Sequence, residues 1–302
     1  MPVPITPTRT RVSVLMATRL DRVVELLPFQ RSNQGGFVME AESTLLEGKV
    51  AVVSGIGPGL GRRAAVRLAA NGADLVLGAR RQSSLDEVAS EIEALGRKVI
   101  TLSTDITDVA QCEALGAAAA AEFGRVDVLV NNAFRFDAFQ SFEDVDLAQW
   151  EKITGTNVFG TLRMTKAMLP HLKAAGGGSV INIASMVARQ PQPVQGGYAT
   201  SKGGLLTATK VLAFELGSQN IRVNAVVPGW MAGPSVDIYL QMTAAQRGIT
   251  EAEVEAELVK PIPLGRIPAD QEVAGAVVFL ASDLSSAITG QSIDVNGGEF
   301  FA

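Results

Sequence analysis

From Lys49 onward, short apolar runs alternate with longer segments in which apolar residues recur every three or four positions. The short runs are typical of strands buried on both faces, and the longer segments are typical of helices that cover a sheet. Seven strands are predicted, in the segments KVAVVSG, DLVLGAR, KVITLST, VDVLVNN, GGSVINIAS, IRVNAVVPG and SIDVNGG. Helices are predicted over residues 60–71, 83–95 and 108–123, beyond Leu147, around Tyr198 and over residues 270–281. The alternation predicts an α/β fold with a doubly wound parallel seven-stranded sheet in a single domain.

Composition and charge narrow the class of protein. The chain has 302 residues, of which 47% are hydrophobic and 19% are charged, and its net charge is -5. That charge predicts no affinity for nucleic acid or for an anionic membrane, and no apolar run is long enough to cross a bilayer. The single Cys112 precludes an internal disulfide, and the single His171 precludes a metal site built on histidines. We therefore expect a cytoplasmic enzyme-sized protein without a metal.

The first 43 residues differ from the rest. Residues 1–38 carry five arginines against only Asp21 and Glu25, after a start that is broken by prolines. Met39 opens a segment that would be a natural beginning for the domain. We predict that residues 1–43 are an extension dispensable for function, followed by one domain over residues 44–302. An accessory contact and a targeting segment are the alternatives for the extension.

The first strand is followed by SGIGPGLG, a glycine-rich turn that opens onto a helix. In this turn Gly55 allows a tight bend, Gly59 lets the backbone approach a pyrophosphate, and Gly61 permits close helix packing. The N–H groups at the start of the helix point toward the phosphates. The turn predicts dinucleotide binding by Gly55, Gly57, Gly59, Leu60 and Gly61.

Tyr198 and Lys202 lie four positions apart in the segment YATSK, so a helix would place them one turn apart on the same face. An isolated pair of this kind is most often a surface tyrosine beside a solvated lysine. This pair is accompanied along the chain by the glycine spacing Gly-x3-Gly-x-Gly, NNA at residues 131–133, Asn157, Ser185 and Pro228-Gly229. Together these motifs resemble the short-chain dehydrogenase/reductase family over about residues 45–300. The resemblance implies a Rossmann fold that binds NAD(P).

The same resemblance implies a site for hydride transfer made of Asn157, Ser185, Tyr198 and Lys202. A free tyrosine, with a pKa of about 10, is a poor base near neutrality, and a neighbouring ammonium or an oxidised nicotinamide would lower that pKa. Ser185 would fix the substrate oxygen, and Lys202 would also hold the nicotinamide ribose. Asn157 would support a water chain that returns protons to solvent. Taken singly, Ser185 is more often a strand-end cap, and Asn157 is more often a polar residue on a helix.

The end of the second strand bears on the choice of cofactor. It reads LGARRQ, with Arg80 and Arg81 and no acid at position 79. A carboxylate there would bind a ribose hydroxyl and repel a 2′-phosphate, whereas a guanidinium can grip a phosphate. This favours NADP(H), with NAD(H) as the alternative if the arginines are only solvated neighbours. The resemblance adds further cofactor contacts from Asp105, Ile106, Asn132, Ala133, Tyr198, Lys202, Pro228 and Gly229.

The substrate side departs from the family pattern. Phe134 stands where a glycine usually follows NNA, and Pro228-Gly229 is followed by Trp230 without the usual threonine. Several apolar residues are expected on loops at this side: Phe134, Phe136, Phe139, Met186, Trp230, Met231 and Tyr239. They would either line a pocket for a hydrophobic alcohol or ketone, or pack a lid against the body. The lid is predicted at about residues 229–267, with one charged helix in TEAEVEAELVK.

We predict an NADP(H)-dependent oxidoreductase for a hydrophobic secondary alcohol or ketone. A 3-oxoacyl carrier-protein reductase, an NAD-dependent alcohol dehydrogenase and a non-catalytic nucleotide-binding scaffold are the alternatives. A scaffold would need no activated phenol, so the intact Ser185, Tyr198 and Lys202 count against it. The resemblance also implies a homotetramer or homodimer that packs through the helices of Asn157 and Tyr198. The outer face of the second helix is predicted to carry Leu205, Leu206, Ala208 and Leu212.

Overall fold

The computed structural model of the chain describes residues 44–137 and 139–301. The predicted extension over residues 1–43 therefore lies outside the described residues, and its role stays a prediction. Within the described part, no helix is both long enough and apolar enough to span a membrane.

The core of the fold is one parallel sheet of seven strands in the order β3-β2-β1-β4-β5-β6-β7. Its strands are β1 Val50–Ser54, β2 Asp74–Ala79, β3 Val99–Ser103, β4 Val128–Asn131, β5 Gly178–Ile183, β6 Ile221–Pro228 and β7 Ser292–Val295. The central strands read as continuous buried runs because helices cover the sheet on both faces. The predicted doubly wound sheet is thus confirmed, and each predicted strand is present.

Nine named α-helices connect the strands within the described residues. They are α1 Leu60–Ala70, α2 Gln82–Ala94, α3 Val109–Phe123, α4 Leu147–Thr154, α5 Thr161–Ala174, α6 Gly196–Leu216, α7 Pro234–Arg247, α8 Glu251–Val259 and α9 Asp270–Ala281. The helix ends follow local chemistry. Asp108 accepts the N–H groups of Ala110 and Gln111 at the start of α3, and Gly124 ends that helix in the left-handed region at φ 72°.

Two hydrophobic clusters hold the helices to the sheet. On one face α1, α2 and α9 pack around fully buried side chains such as Leu68 and Leu77. On the other face α3, α5 and α6 pack around residues such as Met168 and Leu129. Burying one such side chain contributes about 1.5–3 kcal/mol. The clusters hold the strands in place, and with them the loops that leave the carboxyl ends of the strands.

The strands β2 and β3 are added to the sheet on one side of β1, and the strands from β4 onward are added on its other side. The strands β1 and β4 are neighbours, and the last residues of both, Ser54 and Asn131, pair in register. In a doubly wound sheet the loops that leave such a pair diverge to opposite faces and open a crevice for a ligand. The glycine-rich turn after β1 and the segment after β4 therefore border the same crevice.

The segment predicted as a lid has more structure than expected. The sequence predicted one charged helix, which is α8, but α7 precedes it and was missed. The two helices bury a small core of their own, made of Val236, Leu240, Ala244, Val254, Ile262 and Ile267. Part of the apolar character of this segment therefore serves its internal packing.

Candidate active site

Close packing requires the first and last glycines of the turn after β1. Gly55 has φ 93°, and a Cβ on it would lie 2.2 Å from the backbone nitrogen of Ala133. A Cβ on Gly61 would lie 2.2 Å from the carbonyl oxygen of Gly55. The Asn132 side-chain amide donates to that same carbonyl at 2.5 Å. The turn after β1 and the segment after β4 are therefore locked together, as a fixed binding loop requires.

The other side of the turn is open. A Cβ on Gly57 or Gly59 would meet no atom within 4 Å. No side chain caps the first turn of α1, which begins at Leu60, and no acidic residue lies in that turn. Unpartnered N–H groups at a helix start, beside open space, are the features that bind a phosphate. The turn fits a dinucleotide.

The end of β2 and the loop after β3 form the next part of the crevice. Arg80 and Arg81 are exposed there. Asp105 accepts the N–H of Thr107 at 2.9 Å and its hydroxyl at 2.7 Å. The Thr107 amide and hydroxyl lower the pKa of Asp105, despite its partial burial, with smaller contributions from Arg80 and Arg135. The Asp105 carboxylate is therefore charged at neutral pH.

Ile106 and Gly229 are fixed by close neighbours. Ile106 is buried, and a Cβ on Gly160 would lie 2.7 Å from its Cδ1 atom. Gly229 follows Pro228 at the end of β6, where its N–H donates to Val295 and a Cβ would lie 2.7 Å from that of Asn296. The absence of a side chain at Gly160 and at Gly229 therefore allows these two close contacts.

Tyr198, Ser185 and Lys202 come together as the sequence predicted. Tyr198 is 8% exposed and Lys202 is 3% exposed, one helical turn apart on α6. The Ser185 hydroxyl accepts the N–H of Val187 at 3.4 Å and lies close enough to the Tyr198 phenol to lower its pKa. The Lys202 ammonium donates to the carbonyl of Ile183 at 2.6 Å and lies 5.5 Å from the centre of the Tyr198 ring. The surface interpretation of this tyrosine–lysine pair is therefore wrong.

The pKa values of this pair differ from the expectation. The spacing in the sequence predicts that the Lys202 ammonium lowers the pKa of Tyr198. Burial instead raises the pKa of Tyr198 to about 12, against a smaller lowering by the Ser185 hydroxyl. Burial also lowers the pKa of Lys202 to about 7, because the charged amine is removed from water. Desolvation is thus the largest influence on the pKa of both groups.

Asn157 lies where the long helix changes its winding. A π-helical segment, Gly155–Gly160, joins α4 to α5, and such segments are frequent at functional sites. The Asn157 side chain accepts the N–H of Arg135 at 2.7 Å and donates to the carbonyl of Arg135 at 3.0 Å. It also donates to the hydroxyl of Ser201 at 2.9 Å. Asn157 thus joins the segment after β4 to α6, a contact that the sequence argument did not anticipate.

Aromatic rings cover the tyrosine. Phe134, Arg135, Phe136, Asp137 and Phe139 form what we call the aromatic loop. The Phe136 ring stacks on Tyr198 with centroids 4.8 Å apart, and Phe139 stacks on Phe136 at 5.3 Å. Phe134 lies 6.1 Å from the Tyr198 ring, and its own centre is 5.5 Å from the Lys202 nitrogen. The phenylalanine that replaces the family glycine therefore lies directly over the tyrosine–lysine pair.

The other apolar residues that were predicted at the substrate side do not all lie at the crevice. Trp230 and Tyr239 contact each other at 5.0 Å between ring centres, in the segment of α7. Met186 is buried, and Met231 packs against the main core. These two methionines serve packing, whereas the three phenylalanines of the aromatic loop stay about half exposed at the crevice.

The start of α6 is shaped by a neighbouring tryptophan. A Cβ on Gly196 would lie 2.3 Å from the Trp150 ring, and one on Gly197 would lie 2.8 Å from it. The glycine pair before Tyr198 therefore lets the helix begin against this ring of α4.

Among the residues that the structure describes, no cluster of three or more His, Cys, Asp or Glu side chains could hold a metal ion.

Comparison with known proteins agrees with this geometry. A family model described as enoyl-(acyl carrier protein) reductase matches residues 55–299. The chain belongs to the short-chain dehydrogenase/reductase family. As a member of this family it is an oxidoreductase that acts on CH–OH or keto groups, and the family binds NAD(P)(H).

Three relatives illustrate the range of this short-chain dehydrogenase/reductase group. A 3-oxoacyl acyl-carrier-protein reductase of Thermotoga maritima is 35% identical, over 84% of this chain and 98% of its own. A 7alpha-hydroxysteroid dehydrogenase of Escherichia coli is 30% identical, over 86% of this chain and 98% of its own. The crystal structure of a levodione reductase superimposes with a TM-score of 0.79 at 30% identity, covering 84% of this chain and 98% of that one.

Proposed function

We propose that the chain transfers hydride between NADP(H) and a hydrophobic secondary alcohol or ketone, with Tyr198 as the proton-transferring group. The observation that carries the proposal is a buried phenol beside Ser185, with Lys202 one turn away and the open glycine turn nearby. The dinucleotide, when bound, supplies or receives the hydride. Ser185 holds the substrate oxygen beside the phenol, and Tyr198 gives that oxygen a proton during reduction or removes one during oxidation.

The proposed residues divide the work in space. Gly55, Gly57, Gly59, Leu60 and Gly61 would hold the phosphates, with Asp105 and Ile106 at the adenine. Asn132, Ala133, Pro228 and Gly229 would border the nicotinamide half, and Lys202 would hold its ribose. The raised pKa keeps the proton on Tyr198 at neutral pH, which suits reduction of a ketone. Oxidation needs the phenolate, which a charged Lys202 and an oxidised nicotinamide would favour.

The preference for NADP(H) rests on Arg80 and Arg81, which are exposed at the end of β2. A pairing between a guanidinium and the 2′-phosphate is worth about 1.5–3 kcal/mol, roughly ten- to a hundredfold in affinity. We expect Arg80→Ala to weaken NADPH binding by that factor and to leave NADH binding unchanged. We expect Ala79→Asp to reverse the preference, because its carboxylate repels the phosphate and accepts from a ribose hydroxyl. Dissociation constants for both cofactors at low and moderate salt provide the measurement, and tighter NADH binding by the wild type would refute the preference.

The aromatic loop and the names of two relatives support a hydrophobic substrate. The E. coli relative is named for a hydroxysteroid, and the structural relative for levodione. The T. maritima relative, at 35% identity, favours a 3-oxoacyl thioester on a carrier protein as the second candidate. A panel of cyclic ketones, open-chain ketones and a 3-oxoacyl thioester, assayed with both cofactors, separates the two. A higher kcat/KM for the thioester than for every ketone would favour the second candidate.

We also propose that the chain assembles into a homotetramer or homodimer through α6 and the helix of Asn157. The predicted outer face of α6 needs correction, because Leu205 is only 1% exposed and Leu206 and Leu212 are partly buried in the core. The exposed face instead carries Val211 and Phe214, of which Phe214 is 94% exposed. Val211 and Phe214 lie three positions apart on α6 and together form an exposed apolar patch that another chain could cover.

Light scattering at micromolar concentration tests this assembly. We expect the mass of a dimer or tetramer for the wild type and a smaller mass for Phe214→Glu, because the new charge would be buried at the interface. Leu95→Glu, at an exposed leucine beyond α2, is the matched control and should keep the wild-type mass. A monomeric wild type would contradict the proposal.

A cytoplasmic location stays a prediction from composition.

A further inference from the structure

The helix that carries Tyr198 lacks a cap of its own. It begins at Gly196, and the preceding Gln195 provides no side-chain acceptor for the first turn. The N–H of Tyr198 belongs to that turn, so it has no acceptor within the helix. It donates instead to the carboxylate of Asp137, at 2.8 Å, from a residue 61 positions earlier in the chain. A carboxylate at a helix start is stabilised by the N–H groups and by the helix dipole.

Asp137 belongs to the aromatic loop, so this hydrogen bond also anchors that loop. A second anchor lies two residues earlier, where the side chain of Asn157 holds both backbone groups of Arg135. Phe136 lies between the two anchors. Its ring stacks on the Tyr198 ring and also on the Phe139 ring. These stacked rings form an aromatic wall beside the Tyr198 phenol.

The loop needs such anchors because its own conformation is unfavourable. Phe139 adopts φ 56°, in the left-handed region that residues with a side chain disfavour. Phe134, Phe136 and Phe139 are each about half exposed, so burial alone holds them weakly. The hydrogen bond from Tyr198 to Asp137 joins this loop to the element that carries the proposed proton donor.

We propose that Asp137 is a positioning residue that holds the Phe136 ring against Tyr198 and thereby selects ring-bearing ketones over small open-chain ones. The proposal rests on the function proposed above. A bicyclic ketone would contact the aromatic wall while its oxygen lies at Tyr198 and Ser185. A small ketone reaches the same two hydroxyls with little contact to the wall. Loss of the anchor should therefore penalise the larger substrate selectively.

Three variants test the proposal, with 2-decalone and 2-butanone as probes. Asp137→Ala removes the acceptor, whereas Asp137→Asn keeps an oxygen that can accept the Tyr198 N–H. Asp144→Ala is the matched control, because Asp144 accepts from Ser141 within its own turn, in the same connection between β4 and α4. We expect Asp137→Ala to lower kcat/KM for 2-decalone by roughly tenfold, the value of one or two aromatic contacts, and to change that for 2-butanone less than about twofold. We expect Asp137→Asn to restore most of the loss.

Hydrogen exchange provides a readout that needs no substrate. Peptides that contain Tyr198 should lose amide protection in Asp137→Ala and keep it in Asp137→Asn and Asp144→Ala. This result separates a failure of the anchor from a failure of the proposed function, which would abolish ketone turnover in the wild type as well. Unchanged exchange in Asp137→Ala, or an equal loss of kcat/KM for the two ketones, would overturn the proposal.

Discussion

Tyr198→Phe is expected to lower turnover by at least about a hundredfold, the lower end of what a general acid–base group contributes. Phenylalanine preserves the stacking on Phe136 and removes only the hydroxyl beside Ser185. Lys202 and the glycine turn are untouched, so the dissociation constant for the cofactor should stay within about twofold of the wild type. Steady-state turnover and cofactor titration on the same preparation provide the measurement.

The variant Tyr239→Phe is the control for this result. Tyr239 is the other tyrosine of the chain and contacts Trp230 in the segment of α7. The same loss of a hydroxyl there should leave turnover close to that of the wild type. Near-wild-type turnover of Tyr198→Phe would remove the phenol from the reaction.

Lys202→Met is expected to lose turnover and cofactor affinity together, because the lysine is proposed to act on both the phenol and the ribose. It should also change how stability depends on pH. Burial lowers the pKa of Lys202 in the folded chain to about 7, from 10.5. Between these values the unfolded chain holds a proton that the folded chain has released, so stability rises with pH across this window. The whole rise is at most about 4–5 kcal/mol.

Urea unfolding of the cofactor-free protein from pH 7 to pH 9 measures this effect within the window set by Lys202. It stays below the range in which buried Cys112, whose pKa is raised from 9.0 to about 11, makes stability fall with pH. Above pH 9 Tyr198 acts in the opposite sense to Lys202, because its pKa is raised from 10.0 to about 12 and stability falls as the unfolded chain loses its phenolic proton. We expect the wild type and Lys210→Met, at an exposed lysine of α6, to become more stable across the window. Lys202→Met should show little change with pH. A wild type whose stability is flat in this range would contradict a buried, desolvated amine.

Local patterns in the sequence predict most of this fold. The strands are continuous apolar runs, so their positions could be found without knowledge of their neighbours. The positions of Tyr198 and Lys202 on one helical face follow from spacing alone. Helix α7 was missed although Pro234 lies at its start and Gly248 lies just beyond its end, which are recognised boundary signals. Those two residues are enough to predict helix α7.

Features that depend on distant residues could not be predicted in this way. Asp137 caps a helix across 61 positions, and nothing in its own segment indicates that partner. The outer face of α6 was misjudged because the helix is packed on more than one side, so its leucines turn inward and Phe214 is left outside. The pKa of Tyr198 depends on how completely the phenol is removed from water. Spacing shows that a lysine is near, but it does not show how much water is excluded.

Transfer of a labelled hydride tests the central claim most directly. The wild type is incubated with a cyclic ketone and with NADPH carrying deuterium at the transferable position, and the product alcohol is examined by mass spectrometry. We predict one deuterium at the carbinol carbon with the wild type and at least about a hundredfold less labelled product in the same time with Tyr198→Phe. An unlabelled alcohol, or equal labelling rates in the two proteins, would contradict hydride transfer that depends on the Tyr198 phenol.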